Sequence, residues 1–204
     1  MSFLVLTGYF LSGAVAGGFL QYCSETPKRP VWFCLLTGSL FLFAGLRYPF
    51  SVQMVLILIF LLGISFEAYI DYLYMVIPDE ILCVLLLAGL SQVAIGSKEF
   101  FDVIFGAIIG AVFLGAIFVL SKGGLGLGDV KFAGTLGLWL GTSGILVCLA
   151  SAFVSGGIIA VGLYLSGKAS GQTKIPFGPF LSLGAFASFF FSSRILSWYW
   201  SLLI

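Results

Sequence analysis

The chain has 204 residues, of which 61% are hydrophobic and 8% are charged, and its formal net charge at pH 7 is +1. A soluble domain carries roughly 25% charged residues, so this composition excludes a soluble globular protein, and the small net charge gives no indication of a nucleic-acid partner. The chain contains no histidine, which excludes H-E-x-x-H metalloproteases, haem proteins and histidine-dependent nucleophilic triads.

Continuous apolar runs recur along the whole chain, and their lengths indicate helices that cross a membrane. One helical span needs about 20 apolar residues, so the chain has room for about eight. Because the runs are continuous rather than alternating, they favour helices over a β-barrel. We therefore expect an all-α, polytopic membrane helical bundle that forms a single integral membrane domain over residues 1–204. The predicted spans cover residues 3–21, 31–46, 52–70, 80–95, 103–121, 129–141, 144–165 and 179–202.

Small residues recur four positions apart inside these spans. Glycine at this spacing lets two helix backbones approach closely in a membrane, so we interpret these glycines as packing positions without a chemical role. The pairs are Gly13 with Gly17, Gly106 with Gly110, and Gly137 with Gly141.

Basic residues are distributed unevenly between the two sides of the predicted bundle. Loops on the cytoplasmic side of membrane proteins carry an excess of lysine and arginine. The side with six basic residues is therefore predicted to face the cytoplasm, with both termini on the opposite side. The six are Lys28, Arg29, Lys122, Lys131, Lys168 and Lys174, against Arg47, Lys98 and Arg194 on the other side.

Two aspartates at the ends of predicted spans are the candidates for chemistry, and both fall on the predicted cytoplasmic side. Asp71 ends the third span, and Asp129 begins the sixth after the glycine-rich run Gly126-Leu127-Gly128. Ionisable groups at a membrane boundary are expensive and are functional by default. Two carboxyl groups held a few ångströms apart share one proton. One can then accept a proton from water while the other donates to a peptide carbonyl, as in an aspartyl protease.

The same aspartates also have structural interpretations. Asp129 can cap the sixth span, and Asp79 can cap the fourth. A transporter or channel is the main alternative function, because polar residues in a glycine-rich bundle also suit a substrate path. A non-catalytic assembly subunit fits the composition as well. The carboxylates cluster at one membrane face rather than at the midplane, which favours the protease.

Glu67 is a further acidic residue near the candidate pair. It lies four residues before Asp71 and therefore shares its helix face. The sequence leaves open whether Glu67 supports the site or pairs with Lys122 or Lys131.

Four segments, in this order along the chain, resemble motifs of the type IV prepilin peptidases and together cover roughly residues 31–185. The weakest is Leu35-Leu36-Thr37-Gly38, which is similar to a pattern in the second span of these enzymes. The run from Asp71 to Ile77-Pro78-Asp79 resembles their first aspartate motif. The run Gly126-Leu127-Gly128-Asp129-Val130-Lys131 resembles their G-x-G-D-x-K loop, and Ile175-Pro176-Phe177-Gly178-Pro179-Phe180 is similar to the segment before their last span.

This resemblance implies a membrane aspartyl endopeptidase of the G-x-G-D class in the bacterial inner membrane. Such enzymes remove the short basic leader from prepilins or pseudopilins, the subunits of type IV pili and protein secretion systems, at the cytoplasmic face. The implied catalytic residues are Asp71 and Asp129; the supporting residues are Asp79, Gly126, Gly128, Lys131 and, from its position alone, Glu67. The segment Pro176, Phe177, Gly178 and Pro179 is expected to contribute to substrate binding.

One departure from the family is large. Many bacterial members carry a zinc-binding domain with two C-x-x-C pairs between the first two spans, and methylate the new N-terminus. Here that segment shrinks to about residues 22–30 with only Cys23 in it, and Cys34 replaces an acidic residue of the family pattern. We therefore expect a form without this domain, with no metal or cofactor and without N-methylation. The basic leader is expected to meet acidic residues at the cytoplasmic face, Asp79, Glu80 or Glu25.

Overall fold

A computed structural model of the protein describes residues 3–23, 30–122, 124–168, 170 and 173–203. Glu25, Lys28 and Arg29, named above, lie outside these residues. Within the described ranges every regular element is an α-helix and no strand is present. The helices are α1 (Phe3–Cys23), α2 (Val31–Arg47), α3 (Val52–Tyr74), α4 (Asp79–Ala94), α5 (Phe100–Leu120), α6 (Leu127–Leu165) and α7 (Gly178–Leu203).

The helices have the lengths and composition of membrane spans. In the part of the chain that the structure describes, α3, α5, α6 and α7 are each long and apolar enough to cross a membrane, and α2 is a shorter apolar helix. The prediction of an all-α membrane helical bundle is therefore confirmed. The number of eight spans stays a prediction.

The sixth and seventh predicted spans lie within the single helix α6, which is interrupted at Gly141. The φ of Gly141 is 73° and its ψ is −177°, a conformation that glycine adopts far more readily than other residues. This break divides α6 into a first arm, residues 127–140, and a second arm, residues 142–165. The sequence-predicted boundary between two spans was thus correctly located.

The packing of α5 shows that the two arms run in opposite directions. Gly106 of α5 lies against Gly137 and Gly141, while Gly110, one turn later, lies against Ala133 and Ile145. From Gly106 to Gly110, the contacts therefore move towards the start of the first arm and towards the end of the second arm. The absence of side chains on these glycines allows the backbones to approach, which confirms their interpretation as packing positions.

Side chains in the first turn of α5 and just before it hold the turn between the two arms. A carboxylate oxygen of Asp102 accepts a hydrogen bond from the Thr142 N–H at 2.9 Å, which satisfies one of the free N–H groups at the start of the second arm. Lys98 Nζ donates to the carbonyl oxygen of Leu140, the last residue of the first arm, at 3.4 Å. Polar groups at the start of α5 thus cap both arms at the Gly141 break.

The helix α7 packs antiparallel to the second arm. Ser188 Oγ donates to the Gly144 carbonyl at 2.6 Å near the break, and the rings of Phe177 and Phe153 meet at a centroid distance of 5.1 Å at the other end. Asp129 and Phe153 each lie 12 residues from Gly141, which is about 18 Å along a helix. The beginnings of α6 and α7 therefore lie at the same end of this packed group, where the candidate site is found.

The chain divides into two compact units, Met1–Phe66 and Glu67–Ile204. In the first unit, Gly13 and Gly17 of α1 lie against Thr37 of α2, with Phe41 also at Gly13, as the spacing of these glycines predicts. Every candidate catalytic, supporting and substrate-binding residue belongs to the second unit.

Candidate active site

Asp71 lies in the last turn of α3 and is only 5% exposed. Its Oδ2 accepts a hydrogen bond of 2.8 Å from the backbone N–H of Gly178, the first residue of α7. The helix ends three residues later, and Met75, with a φ of 55°, turns the chain away from the helical path. The end of α3 and the start of α7 are thus joined directly through the candidate catalytic carboxylate.

Asp129 is the third residue of α6 and is 7% exposed. Its Oδ2 accepts a hydrogen bond of 3.1 Å from the N–H of Gly126, the residue that precedes the helix. This contact is the acidic half of a capping box, so Asp129 helps to cap α6 from the third position of the helix. The N-cap residue is Gly126 and not, as predicted, Asp129. The other oxygen, Oδ1, is buried and has no hydrogen-bond partner among the described residues.

The glycines of the G-x-G-D run have separate steric roles. A Cβ on Gly126 would lie 3.1 Å from Asp129 Oδ2, and a Cβ on Gly128 would lie 3.0 Å from the Cβ of Ile77. Gly126 therefore leaves room for the carboxylate to reach its N–H group. Gly128 lets the start of α6 approach the loop between α3 and α4.

Both aspartates line one cavity of about 230 Å³. The cavity is several times larger than the roughly 30 Å³ of a water molecule, so a peptide group and a water fit between the walls. The other lining residues are Met75 after α3, Gly124, Leu125 and Gly126 before α6, and Lys174, Ile175, Pro176 and Phe177 before α7.

The predicted substrate-binding segment is divided between the cavity and α7. Pro176 and Phe177 line the cavity, and Gly178 holds Asp71 through its N–H group. Pro179 lies in the first turn of α7 and does not line the cavity. Sequence reasoning missed four lining residues. Met75 and Ile175 lie inside the quoted motif segments, and Leu125 and Lys174 each directly precede one.

Asp79 and Lys131 lie outside the cavity and bind each other. Lys131 Nζ contacts both carboxylate oxygens of Asp79, at 2.8 and 2.9 Å, and both side chains are exposed. The interpretation of Asp79 as the cap of α4 is wrong, because the residue at the cap position is Pro78 and no side-chain cap is formed. Asp79 instead pairs with Lys131, which is therefore not the partner of Glu67.

Glu67 is fully buried one turn before Asp71. Neither of its carboxylate oxygens has a hydrogen-bond partner in the part of the chain that the structure describes, and Glu67 does not line the cavity. Its position next to the site is as the sequence predicts, but the structure pairs it with neither Lys122 nor Lys131.

Comparisons with known proteins place the chain in one family. Residues 54–161, more than half of the chain, match the type IV leader peptidase family. The leader peptidase HopD of Escherichia coli is 40% identical over 119 residues, which are 54% of this chain and 76% of HopD. The prepilin leader peptidase/N-methyltransferase of Bacillus subtilis (strain 168) is 25% identical over 166 residues, 81% of this chain and 67% of that protein.

A third relative, the prepilin leader peptidase/N-methyltransferase of Aeromonas salmonicida, is 30% identical over 142 residues, and the match covers 67% of this chain but only 49% of the relative. No solved structure matches the chain. The family match contains both aspartates of the cavity and the Asp79–Lys131 pair, while the segment 175–180 follows it along the chain. The prediction of a peptidase of this family is thereby confirmed, and the chain belongs to the type IV leader peptidase family.

Proposed function

We propose that this protein is an aspartyl endopeptidase that removes the short basic leader from prepilins or pseudopilins at the cytoplasmic face of the bacterial inner membrane. The observation that carries the proposal is that Asp71 and Asp129, from distant parts of the chain, line one cavity. The membership in the leader peptidase family and the names of the relatives support a leader peptide as the substrate. In this proposal residues 1–204 act as one integral membrane peptidase domain, without N-methylation.

The two carboxyl groups are sufficient for a balanced hydrolysis. The ionised one accepts a proton from water, and the water oxygen attacks the carbon of the scissile carbonyl. The protonated one gives its proton to the carbonyl oxygen, which produces a tetrahedral diol. When the C–N bond breaks, the aspartate that took the proton from water gives it to the amine nitrogen of the mature protein. The other aspartate regains a proton from the diol, and the leader leaves with a new carboxyl group.

The hydrogen bonds around the pair support this chemistry by fixing one oxygen of each aspartate. The N–H groups of Gly178 and Gly126 hold Asp71 Oδ2 and Asp129 Oδ2. Asp129 Oδ1 has no hydrogen-bond partner among the residues that the structure describes, so it can accept a hydrogen bond from water or from the substrate. Fixed backbone donors keep catalytic groups in position without rearrangement during the reaction.

The charges near the cavity support a cavity that opens to the cytoplasm. They also indicate which acidic residue is free to contact a basic leader. Lys174 lines the cavity, and Lys122 precedes its glycine-rich wall, as the positive-inside rule requires of a cytoplasmic end. Asp79 is neutralised by Lys131, so Glu80, exposed at the start of α4, is the better contact for a basic leader.

Membrane vesicles of defined orientation test the function and the face together. The protein is expressed in a bacterium without another prepilin peptidase, and a synthetic prepilin peptide is added outside the vesicles. We expect inverted inner-membrane vesicles to release one leader fragment, identified by mass spectrometry. Right-side-out vesicles should release it only after detergent opens them, because the cavity then faces the vesicle interior.

A peptide whose leader carries glutamate in place of its basic residues is the control, and it should be cut more slowly. Absence of cleavage even in opened vesicles would favour the transporter or assembly-subunit interpretation. Cleavage by intact right-side-out vesicles alone would reverse the orientation and leave the peptidase assignment intact.

The Asp79–Lys131 ion pair is expected to align the two aspartates. Lys131 follows Asp129 by two residues, and Asp79 follows Asp71 by eight, so the pair joins the segments that carry the carboxylates. Because an exposed pair is worth up to about 1 kcal/mol, we expect Asp79→Lys or Lys131→Asp to lower kcat/KM about fivefold. The double variant, which restores opposite charges, should return to within about twofold of the original value. A double variant no better than either single one would show that the two side chains act separately.

A further inference from the structure

Two buried polar side chains behind the candidate active site have no hydrogen-bond partner among the described residues. Glu67 is 0% exposed and Ser182 is 6% exposed, and neither the Glu67 carboxylate nor the Ser182 hydroxyl is satisfied. Other buried serines behave differently: Ser65 and Ser188 each donate to a backbone carbonyl at 2.6 Å. Buried polar groups in folded proteins are nearly always hydrogen-bonded, so this pair needs a partner that the described residues do not supply.

Helix geometry brings Glu67 and Ser182 towards the same place. The hydrogen bond between Asp71 and Gly178 joins the last turn of α3 to the first turn of α7. Glu67 lies four residues before Asp71, and Ser182 lies four residues after Gly178, so each shares the helix face of its neighbour. Each is therefore one turn, about 5.4 Å along its own helix, from the contact between Asp71 and Gly178.

We propose that Glu67 and Ser182 form a buried water-binding site one helical turn behind the aspartate pair, and that this site supplies the water used in hydrolysis. The second part rests on the proposed function. A buried water usually makes about three hydrogen bonds to groups that are otherwise unsatisfied. A carboxyl group and a hydroxyl group offer both acceptors and a donor, and Asp129 Oδ1 is a third unsatisfied buried oxygen, on the cavity-lining residue.

The surroundings favour water over a charged ligand. Lys131, the basic residue considered for Glu67, is held by Asp79. No group of three or more cysteine, aspartate or glutamate side chains in the described part of the chain is arranged to hold a metal ion. A peptide bound in the cavity also obstructs the path of water from solvent. A water molecule bound on the inner side of the Asp71 and Asp129 pair stays available while the substrate is bound.

Substitutions at the two positions test the role in catalysis. We expect Glu67→Leu and Ser182→Ala each to lower kcat for leader removal about tenfold, because each removes groups that hold the water. KM should stay the same, because neither side chain lines the cavity that receives the peptide. Glu67→Gln and Ser182→Thr keep hydrogen-bonding groups and should retain kcat within about threefold. Unchanged kcat in Glu67→Leu and Ser182→Ala would overturn the proposal. So would a kcat in Glu67→Gln as low as that in Glu67→Leu.

A density map that resolves ordered waters gives a readout independent of activity. We expect a water within hydrogen-bond distance of both the Glu67 carboxyl group and Ser182 Oγ, and its loss in Ser182→Ala. A direct hydrogen bond between the two side chains, or a dry site, would reject the water site. If the water is present but the original protein does not cut the leader peptide, the proposed function fails while the water site stands.

Discussion

We expect Asp129→Asn to lower kcat for leader removal about 10³-fold, and Asp71→Asn to do the same, because a positioned acid or base contributes about 10²–10⁴-fold to such reactions. Asparagine keeps the size of aspartate and an oxygen that can accept from the N–H of Gly126 or Gly178. The variants should therefore fold and insert like the original protein. They lack the carboxyl group that accepts or donates the proton. The measurement is kcat and KM with a leader peptide in detergent, together with the thermal unfolding midpoint.

The double variant distinguishes a cooperating pair from two independent contributors. If Asp71 and Asp129 act as one unit, Asp71→Asn in the Asp129→Asn protein should reduce kcat little further. Glu99→Gln is the matched control, since Glu99 is exposed before α5 and forms no side-chain cap, and its activity should be unchanged. Normal processing by either single aspartate variant would reject the catalytic pair.

Much of the fold was predictable from the sequence because the length of an apolar run determines where a membrane helix lies. The prediction for α2, residues 31–46, differs by one residue from the observed Val31–Arg47. The third predicted span ended at residue 70 because Asp71 marks the end of the apolar run. The backbone hydrogen bonds continue to Tyr74, since a helix does not need apolar side chains to continue. This extension places Asp71 inside the last turn of α3.

The partners of individual side chains were less predictable, because they depend on how helices distant in sequence are rotated about their axes. The Asp71–Gly178 contact joins residues 107 positions apart, and Lys131 reaches Asp79 across 52 positions. The sequence places Glu67 beside Asp71, and a lysine partner was a reasonable hypothesis. Only the structure shows that Lys131 binds Asp79 and that Glu67 is buried without a hydrogen-bond partner among the described residues.

Gly178→Ala is expected to lower kcat about 10²-fold, because a displacement of about 1 Å at a catalytic group lowers the rate by about this factor. A Cβ on residue 178 would lie 2.8 Å from Asp71 Oδ2 and 3.0 Å from the Cβ and Cγ of Asp71. The Asp71 side chain must therefore move, and it then loses its hydrogen bond and its position opposite Asp129. KM should change little, because Pro176 and Phe177 still line the cavity. Steady-state kinetics with the leader peptide measures both constants.

The control for this substitution is Gly157→Ala, because no heavy atom lies within 4 Å of a Cβ at that position in the second arm of α6. It should leave kcat unchanged and show that alanine in a helix of this protein is tolerated. The Asp71→Asn background then identifies the route of the effect. If Gly178→Ala acts by displacing the Asp71 carboxylate, it should lower kcat little further once that carboxylate is absent. If Gly178→Ala still lowered kcat about 10²-fold in the Asp71→Asn protein, residue 178 would affect the reaction by contact with the substrate instead. Asp71 would then keep its position without the N–H of Gly178.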